Sequence, residues 1–239
     1  MESVLEIAGL EKNFGSCKAL CGIDMVLPAG QIVGLLGPNT SGKTTFLKTV
    51  AGLLSPSAGY VGYYGKVLPG PAARETVSFC PDTMVFPKWM RVRDGFTFYH
   101  EMYSDYSLER ADELMRILEL KNFYDTHINR LTKGMTERLT LALTLSRETK
   151  VYLLDEPLDG IDPVGKNKVL DAIISMRPQD ASILVSTHMV KDTERIFDNV
   201  YFLSKGKIIF FGNCQAVREE RGISIEEVYL EVFNREGSF

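Results

Sequence analysis

The chain has 239 residues, enough for one large α/β domain or two small ones, and this length excludes a disulfide-stapled miniprotein. Apolar residues make up 45% of the sequence and charged residues 24%, close to the globular average, which excludes a collagenous or broadly disordered chain. With 27 Lys and Arg against 31 Asp and Glu, the formal net charge is −4, so the chain as a whole lacks the positive field that draws proteins onto nucleic acid.

The first thirty residues predict short antiparallel strands, because two runs of alternating apolar and polar residues flank the turn-like residues 13–16. An apolar strand within residues 31–37 follows, then a small polar loop, and then helical apolar spacing that starts at Lys43. Residues 59–79, rich in Gly and Tyr, predict further strands and turns.

From Asp82 to Lys133 the pattern becomes helical, and we expect an inserted helical subdomain over about residues 82–133. Two helices are predicted, over residues 92–103 and 107–120. Ser107 is suited to cap the second helix. One apolar face of that helix is formed by Ala111, Leu114, Met115, Ile117 and Leu118.

Beyond residue 133, helices alternate with strands that are apolar throughout. The predicted helices span residues 135–146, 164–176 and 190–197, and the predicted strands span residues 151–155, 182–186, 199–204 and 208–212. Such strands are typical of a parallel sheet covered on both faces. The amphipathic tail, about residues 212–239, is expected to pack back on the core. The predicted fold class is α/β, with a mainly parallel sheet core, an N-terminal antiparallel β subdomain and the inserted helical subdomain.

Cysteine usage and apolar run lengths predict a cytoplasmic chain. The four cysteines are few for the length and form no metal-binding pattern, which favours reduced thiols. Residues 1–10 include two acidic residues and no long apolar run, so we expect no secretory or transit signal. No run approaches the ~18 apolar residues that span a bilayer, so we expect any membrane span to belong to another chain.

Residues 37–44, which read GPNTSGKT, match the phosphate-loop pattern G-x-x-x-x-G-K-S/T between an apolar strand and a helix. In such a loop backbone N–H groups and the positive helix end surround phosphate oxygens, the lysine reaches the β- and γ-phosphates, and the hydroxyl ligates Mg²⁺. The sequence therefore predicts a P-loop NTPase. The predicted nucleotide-binding residues here are Gly37, Pro38, Asn39, Thr40, Ser41, Gly42, Lys43, Thr44 and Thr45.

Two adjacent acids, Asp155 and Glu156, follow the apolar strand 151–155. At the carboxyl edge of a parallel sheet the two acids can have different roles. Asp155 can hold Mg²⁺, and Glu156 can accept a proton from the attacking water. The alternative is a pair of solvated acids in a turn.

With these motifs the chain resembles the ATP-binding-cassette (ABC) ATPases over nearly its whole length. Residues 131–135, LTKGM, resemble the family's signature loop, and residues 158–162, LDGID, resemble the loop after its catalytic glutamate. His188 matches the switch histidine, and Phe14 matches the aromatic residue that stacks on adenine. The resemblance implies a single ATPase domain over residues 1–239 that binds ATP and Mg²⁺, with Lys43, Glu156 and His188 as its catalytic residues.

The resemblance also implies that two ATPase chains, identical or related, share two ATP sites. Thr132 and Gly134 would offer a hydroxyl and backbone donors to the nucleotide of the second chain. Alternatively, Thr132 merely caps an ordinary helix, and Phe14 merely packs against an edge strand.

Some residues depart from the family pattern. Asp82 stands where a glutamine is usual; it can still meet the Mg²⁺ shell, but it carries no donor for the attacking water. Lys133 replaces the first glycine of the signature, and it either attracts the phosphate of the second chain or points to solvent. Leu158 and Asp159 replace small hydroxyl residues.

We interpret the chain as the ATP-hydrolysing subunit of a transporter, peripheral on the inner face of the membrane through a separate membrane subunit. The signature variant resembles those of exporter-type cassettes, and this resemblance favours export. An apolar stretch either receives a helix of that subunit or forms the core of the insertion; it comprises Met84, Val85, Phe86, Trp89, Met90 and Phe96. The alternatives are a soluble ABC-type ATPase that acts on nucleic acid or protein complexes, and a nucleotide-binding scaffold without activity. We expect no nucleic acid partner.

Overall fold

The computed structural model describes residues 3–236. The strands are β1 (Ser3–Phe14), β2 (Cys17–Pro28), β3 (Ile32–Leu36), β4 (Ala58–Tyr63), β5 (Lys66–Val67), β6 (Ser78–Cys80), β7 (Val151–Asp155), β8 (Ser182–Thr187), β9 (Asn199–Ser204) and β10 (Lys207–Asn213). The helices are α1 (Lys43–Val50), α2 (Gly70–Thr76), α3 (Val92–Met102), α4 (Leu108–Ile117), α5 (Lys133–Leu145), α6 (Pro163–Ser175), α7 (Val190–Thr193), α8 (Cys214–Arg221) and α9 (Ile225–Glu236). Short 3₁₀ turns span Lys121–Phe123, Ile128–Arg130 and Glu194–Ile196. Within residues 3–236 no helix combines the length and the hydropathy needed to cross a bilayer.

The larger sheet has six strands in the order β10-β9-β3-β8-β7-β6. Every pairing from β9 to β6 is parallel, and only β10 runs antiparallel to its neighbour β9. All side chains of β3, β7, β8 and β9 are buried. This confirms the predicted parallel sheet with both faces covered.

The smaller sheet is antiparallel, in the order β2-β1-β4-β5. On β2, buried Ile23, Met25 and Leu27 alternate with exposed residues, so one face of this sheet lies on the core. The predicted N-terminal antiparallel β subdomain is confirmed.

The large sheet separates two apolar cores, because successive side chains of a strand point to opposite faces. On β3, Val33 and Leu35 pack with the small sheet and α1, whereas Ile32 and Leu36 pack with α5, α6 and the helical insertion. Because both faces of the sheet are packed, the sheet is rigid, and the residues at its carboxyl edge have fixed positions.

The prediction of only strands and turns over residues 59–79 was wrong. Residues 70–76 form helix α2, with Pro71 in its first turn, where proline has the correct φ and lacks a donor that the helix would leave unpaired anyway. The Arg74 guanidinium donates to Gly52 O at 2.9 Å, which fixes α2 against the end of α1. This long-range contact is not visible in the local sequence pattern.

The helical region contains α3 and α4, close to the predicted bounds, and Ser107 caps α4 by accepting from Arg110 N at 3.3 Å. Arg147 joins this region to the sheet. Its buried guanidinium donates to Asp105 Oδ1 at 2.9 Å and to Val77 O at 2.7 Å. Such a buried charge is tolerated because carboxylate and carbonyl partners surround it.

In the described part of the tail, Val217, Ile225 and Val228 are buried against the core. Leu230 is 53% exposed, so this apolar residue of the tail faces solvent.

Candidate active site

Most of the predicted site residues lie where parallel strands end. The phosphate loop follows β3, Asp155 and Glu156 stand at the end of β7, and His188 follows β8. Asp82 lies just beyond β6. Carboxyl ends of parallel strands meet at one edge of the sheet, which is where open α/β sheets bind ligands.

The phosphate loop has a backbone shape that depends on glycine. Gly42 has φ +112°, and a Cβ atom there would lie 2.8 Å from Ala19 O. A Cβ atom at Gly37 would lie 2.3 Å from Leu203 O. The positive φ angles of Gly42 and of Thr40, 69° in the latter, curve the loop into a concave backbone turn at the start of α1. Turns of this kind bind anions. Gly206 N donates to Ser41 O at 2.9 Å and so ties the loop to the turn between β9 and β10.

Lys43 is buried and held at the base of this loop. Its Nζ donates to Gly37 O at 2.8 Å and to Pro38 O at 3.2 Å, and it lies 3.2 Å from Glu156 Oε1. The ammonium therefore lies between the phosphate loop and the acid at the end of β7.

Glu156 is held by three groups on its side chain. Its Oε1 contacts Lys43, and its Oε2 lies 3.0 Å from His188 Nδ1 and accepts the backbone N–H of His188 at 3.3 Å. Its backbone has φ 48°, an uncommon value for a residue with a side chain. Its N–H donates to Ser186 O at 3.0 Å, and this bond fastens the residue to β8.

Asp155 is buried, and one of its oxygens is free of partners. Oδ1 accepts from Ser186 Oγ at 2.5 Å, whereas Oδ2 has no hydrogen-bond partner among the described residues. Burial raises the pKa of this carboxyl above its ordinary value, against the lowering effect of hydrogen bonds from Ser186 and Thr44. An unpaired buried carboxylate oxygen is costly unless a cation meets it.

This donor set fits Mg²⁺. Thr44 can provide a hydroxyl and Asp155 a carboxylate, and both Thr44 and the charge of Asp82 lie close enough to affect the pKa of Asp155. Mg²⁺ takes one or two carboxylates and completes its shell with water and substrate phosphate. Residues 3–236 contain no cluster of three or more His, Cys, Asp or Glu side chains suited to hold a metal.

A cavity of about 590 Å³ opens beside these groups. Nine predicted residues line it: Asn39, Thr40, Gly42, Lys43, Thr44, Thr45, Asp82, Glu156 and His188. The other lining residues are Cys17, Lys18, Ala19, Thr83, Asp159, Lys205 and Gly206, and none of them was predicted. Asp159 belongs to the loop 158–162 described above, and Thr83 lies after β6. No motif marks the other five, because they reach the cavity from turns that only the pairing of β1 with β2 and of β9 with β10 brings to this edge.

Phe14 and the signature-like loop lie outside the lining of this cavity. Phe14 is 49% exposed at the end of β1, where it pairs with the cavity residue Cys17, and Lys12 Nζ lies 5.1 Å from its ring centroid. Thr132 caps α5 by accepting from Met135 N at 3.3 Å, and Gly134 follows in the first turn. Lys133 forms an ion pair with Asp159 of its own chain at 2.7 Å.

Comparisons with known proteins agree with this geometry. The ABC transporter family model matches residues 20–159. The chain is 32% identical to the Nod factor export ATP-binding protein I of Burkholderia lata over 231 residues, which covers 94% of this chain and 76% of that protein. It is 28% identical to the daunorubicin resistance ATP-binding protein DrrA3 of Streptomyces coeruleorubidus over 226 residues, 92% of this chain and 72% of that protein.

Among solved structures, the fold is similar to that of an ATP-binding subunit of an ABC transporter, with a TM-score of 0.86 at 24% identity, over 97% of this chain and 100% of that one. This likeness confirms the predicted fold class. Together with the matched family model and the identity to the Nod factor export protein, it leads to one conclusion: the chain belongs to the ABC transporter family and is an ATP-binding subunit of a transporter.

Proposed function

We propose that this chain hydrolyses ATP and uses the cycle to drive export through a separate membrane subunit. It acts as one ATPase domain, with residues 82–133 as its helical subdomain and residues 212–239 as its tail. The observation that carries the proposal is the position of Glu156, whose carboxylate is held between Lys43 and His188 at the rim of the cavity.

The triphosphate binds in the phosphate loop. Backbone N–H groups of the loop and the amino-terminal end of α1 meet the phosphate oxygens, and Lys43 adds a positive charge from beneath. The Lys43 ammonium already lies at hydrogen-bonding distance from two loop carbonyls, so it is positioned before the nucleotide arrives.

Thr44 and Asp155 would hold Mg²⁺, with Asp82 close by. When bound, the ion would supply positive charge to the phosphate oxygens. The partner-free Oδ2 of Asp155 supports this assignment, because the ion would satisfy an oxygen that the protein leaves unpaired.

Glu156 acts as general base for the attacking water. His188 orients the carboxylate through Oε2, and its exposed ring can meet the γ-phosphate. The proton of the water passes to the Glu156 carboxylate as the water oxygen attacks the γ-phosphorus, and the bond from this phosphorus to the bridging oxygen breaks to release ADP and phosphate. Asp82, which has acceptors only, cannot donate to that water, so the donors must come from His188 and Lys43.

A second ATPase chain, a copy or a relative, completes each site. Thr132 and Gly134 lie at the start of α5, where Thr132 is exposed and Gly134 half-buried, outside the cavity of their own chain, and this supports a role toward nucleotide held by the other chain. Phe14 would stack on the base from the cavity mouth.

The membrane subunit docks on the loop before α3. The apolar stretch divides in three: Met90 and Phe96 are buried, Met84 and Phe86 are half-buried, and Val85 is 90% and Trp89 67% exposed. The buried residues serve the core, and the exposed pair is the part that suits a partner helix. Docking there keeps the chain peripheral on the cytoplasmic face. The export and drug-resistance names of two relatives support the direction of transport.

Purification from detergent extract tests the proposal. We expect the native chain to bring down an integral membrane protein and to hydrolyse ATP. Stimulation of hydrolysis by DNA or RNA, in a salt-sensitive way, would instead favour a soluble ATPase of nucleic acid. A purified dimer that never turns over ATP would indicate a scaffold.

A further inference from the structure

The first turn of α5 and the turn after β7 are packed against each other through two glycines, Gly134 and Gly160. A Cβ atom on Gly134 would lie 3.2 Å from Gly160 O. A Cβ atom on Gly160 would lie 2.9 Å from Lys133 Cε and 3.0 Å from the carboxylate oxygens of Glu137. The two segments therefore have little room to move independently.

Lys133 bridges the two segments with its charge. Its Nζ lies 2.7 Å from Asp159 Oδ2 and 3.6 Å from Glu137 Oε1. The hydrogen bond from Lys133 holds the pKa of the Asp159 carboxyl below its ordinary value, so this acid is charged and paired at neutral pH. Burial raises the pKa of Glu137. Asp159, at the shorter distance, is the nearer counter-ion of Lys133.

Asp159 is connected directly to the chemistry. Its backbone N–H donates to Glu156 O at 3.1 Å and closes the turn that begins at the general base. Its side chain lines the same cavity as His188. A change in the position of Asp159 therefore reaches Glu156 through one hydrogen bond.

We propose that Lys133 is a positioning residue for hydrolysis, which holds the turn 156–160 through Asp159 and so couples the signature-like loop to the general base of its own chain. This inference rests on the proposed function. It assigns Lys133 to a partner within the chain, in place of the phosphate of a second chain or solvent. The departures from the family pattern at Lys133 and Asp159 then explain each other, since each supplies the charge that the other needs.

The size of the effect follows from exposure. The Lys133 side chain is 67% exposed and the Asp159 side chain 50%, so the bond is screened by water and salt. We expect Lys133→Ala and Asp159→Ala each to lower kcat about two- to fivefold, the range typical of exposed ion pairs, with KM for ATP unchanged.

The test is a charge exchange measured by steady-state ATP hydrolysis of the full chain. The double variant Lys133→Ala with Asp159→Ala should be no slower than either single variant, because both remove one interaction. The exchange Lys133→Asp with Asp159→Lys should recover most of the wild-type kcat, and Lys133→Arg should retain it. At about 1 M salt the difference between wild type and Lys133→Ala should shrink.

Lys121→Ala is the matched control, because Lys121 is also exposed and lies 3.0 Å from a carboxylate, Asp112, away from the cavity. It should leave kcat unchanged. The inference is overturned if the exchange variant is as slow as Lys133→Asp alone, or if Lys133→Ala raises KM while Asp159→Ala changes nothing, the result expected of a phosphate contact. If the wild type hydrolyses ATP and Lys133→Ala has the same kcat, the inference is overturned but the proposed function stands. If the wild type does not hydrolyse ATP, the proposed function is overturned together with the inference.

Discussion

Glu156 and His188 contact each other twice, through the ring Nδ1 at 3.0 Å and through the backbone N–H at 3.3 Å, both to the same carboxylate oxygen. This leaves Oε1 directed at Lys43. A carboxylate held in this way has a fixed direction, which a general base needs if it is to take a proton from one particular water.

Replacing the base should stop hydrolysis without stopping binding. Glu156→Gln keeps the shape of the side chain but removes the proton acceptor, so we expect kcat to fall by about 10²- to 10⁴-fold. ATP affinity should stay within a few-fold, and the variant should accumulate as a dimer in light scattering. Glu113→Gln, on the exposed surface of α4, is the control. Normal turnover by Glu156→Gln would show that another group is the base.

Removing the lysine of the phosphate loop should weaken the binding of ATP. Lys43→Ala loses a charge-assisted bond to phosphate worth about 1.5–3 kcal/mol, so the Kd for ATP should rise about 10- to 100-fold in a calorimetric titration. Lys48→Ala, on the same helix but outside the cavity lining, should bind as the wild type does. Equal affinities of the two variants would contradict the assigned role.

The phosphate loop should not tolerate a side chain at Gly42. Gly42→Ala combines a left-handed backbone with a close contact to Ala19 O, and we expect a loss of about 2–3 kcal/mol of unfolding free energy together with loss of ATP binding. Gly222→Ala has a similar backbone conformation, φ +65°, but open space around it, so it should cost about 1 kcal/mol and leave binding intact. Thermal unfolding and ATP titration of the two variants distinguish the cost of the backbone conformation from the cost of the steric clash with Ala19 O.

The nucleotide-free Asp155→Asn variant should be more stable than the wild type, and this difference in stability should grow as pH rises. The pKa of Asp155 is higher in the folded chain than in the unfolded chain, mainly because of burial. The folded state therefore binds that proton more tightly, so stability is present at acidic pH and falls as pH rises through the window from the unfolded to the folded pKa.

Since Asn carries no charge, it avoids this loss, and we expect Tm at pH 8 to rise by about 2–4 °C, for ~1 kcal/mol, with a smaller rise at pH 5. Mg²⁺-dependent activity should be lost at the same time. The exposed Asp180→Asn is the control, and a Tm difference that does not depend on pH would contradict the explanation.

Trp89→Ala should separate docking from hydrolysis. With its side chain 67% exposed, Trp89 contributes little to the core, so soluble ATPase activity and Tm should remain near wild type. Co-purification with the membrane chain should be abolished. Val67→Ala, at 65% exposure on β5, is the control and should still co-purify with the membrane chain. If Trp89→Ala also co-purifies with it, the proposed docking surface is wrong.

The parallel strands and the phosphate loop were predictable because their signals are local. An all-apolar strand such as β7 and the spacing of Gly37, Gly42 and Lys43 are read within a few residues, and backbone physics fixes their form. Helix α2 was missed because its short sequence has no apolar stripe, and contacts with the end of α1 hold it.

The sequence by itself determined the fold class, the order of the motifs and the chemical type of each site residue, since periodicity and short spacings depend only on neighbouring residues. Only the tertiary structure decided that Lys133 meets Asp159, that Trp89 faces solvent while Met90 does not, and that Asp155 keeps one oxygen unpaired. Those outcomes depend on which chain segments, distant in sequence, pack at the same edge of the sheet, and this is set by the summed burial of the whole core rather than by any local pattern.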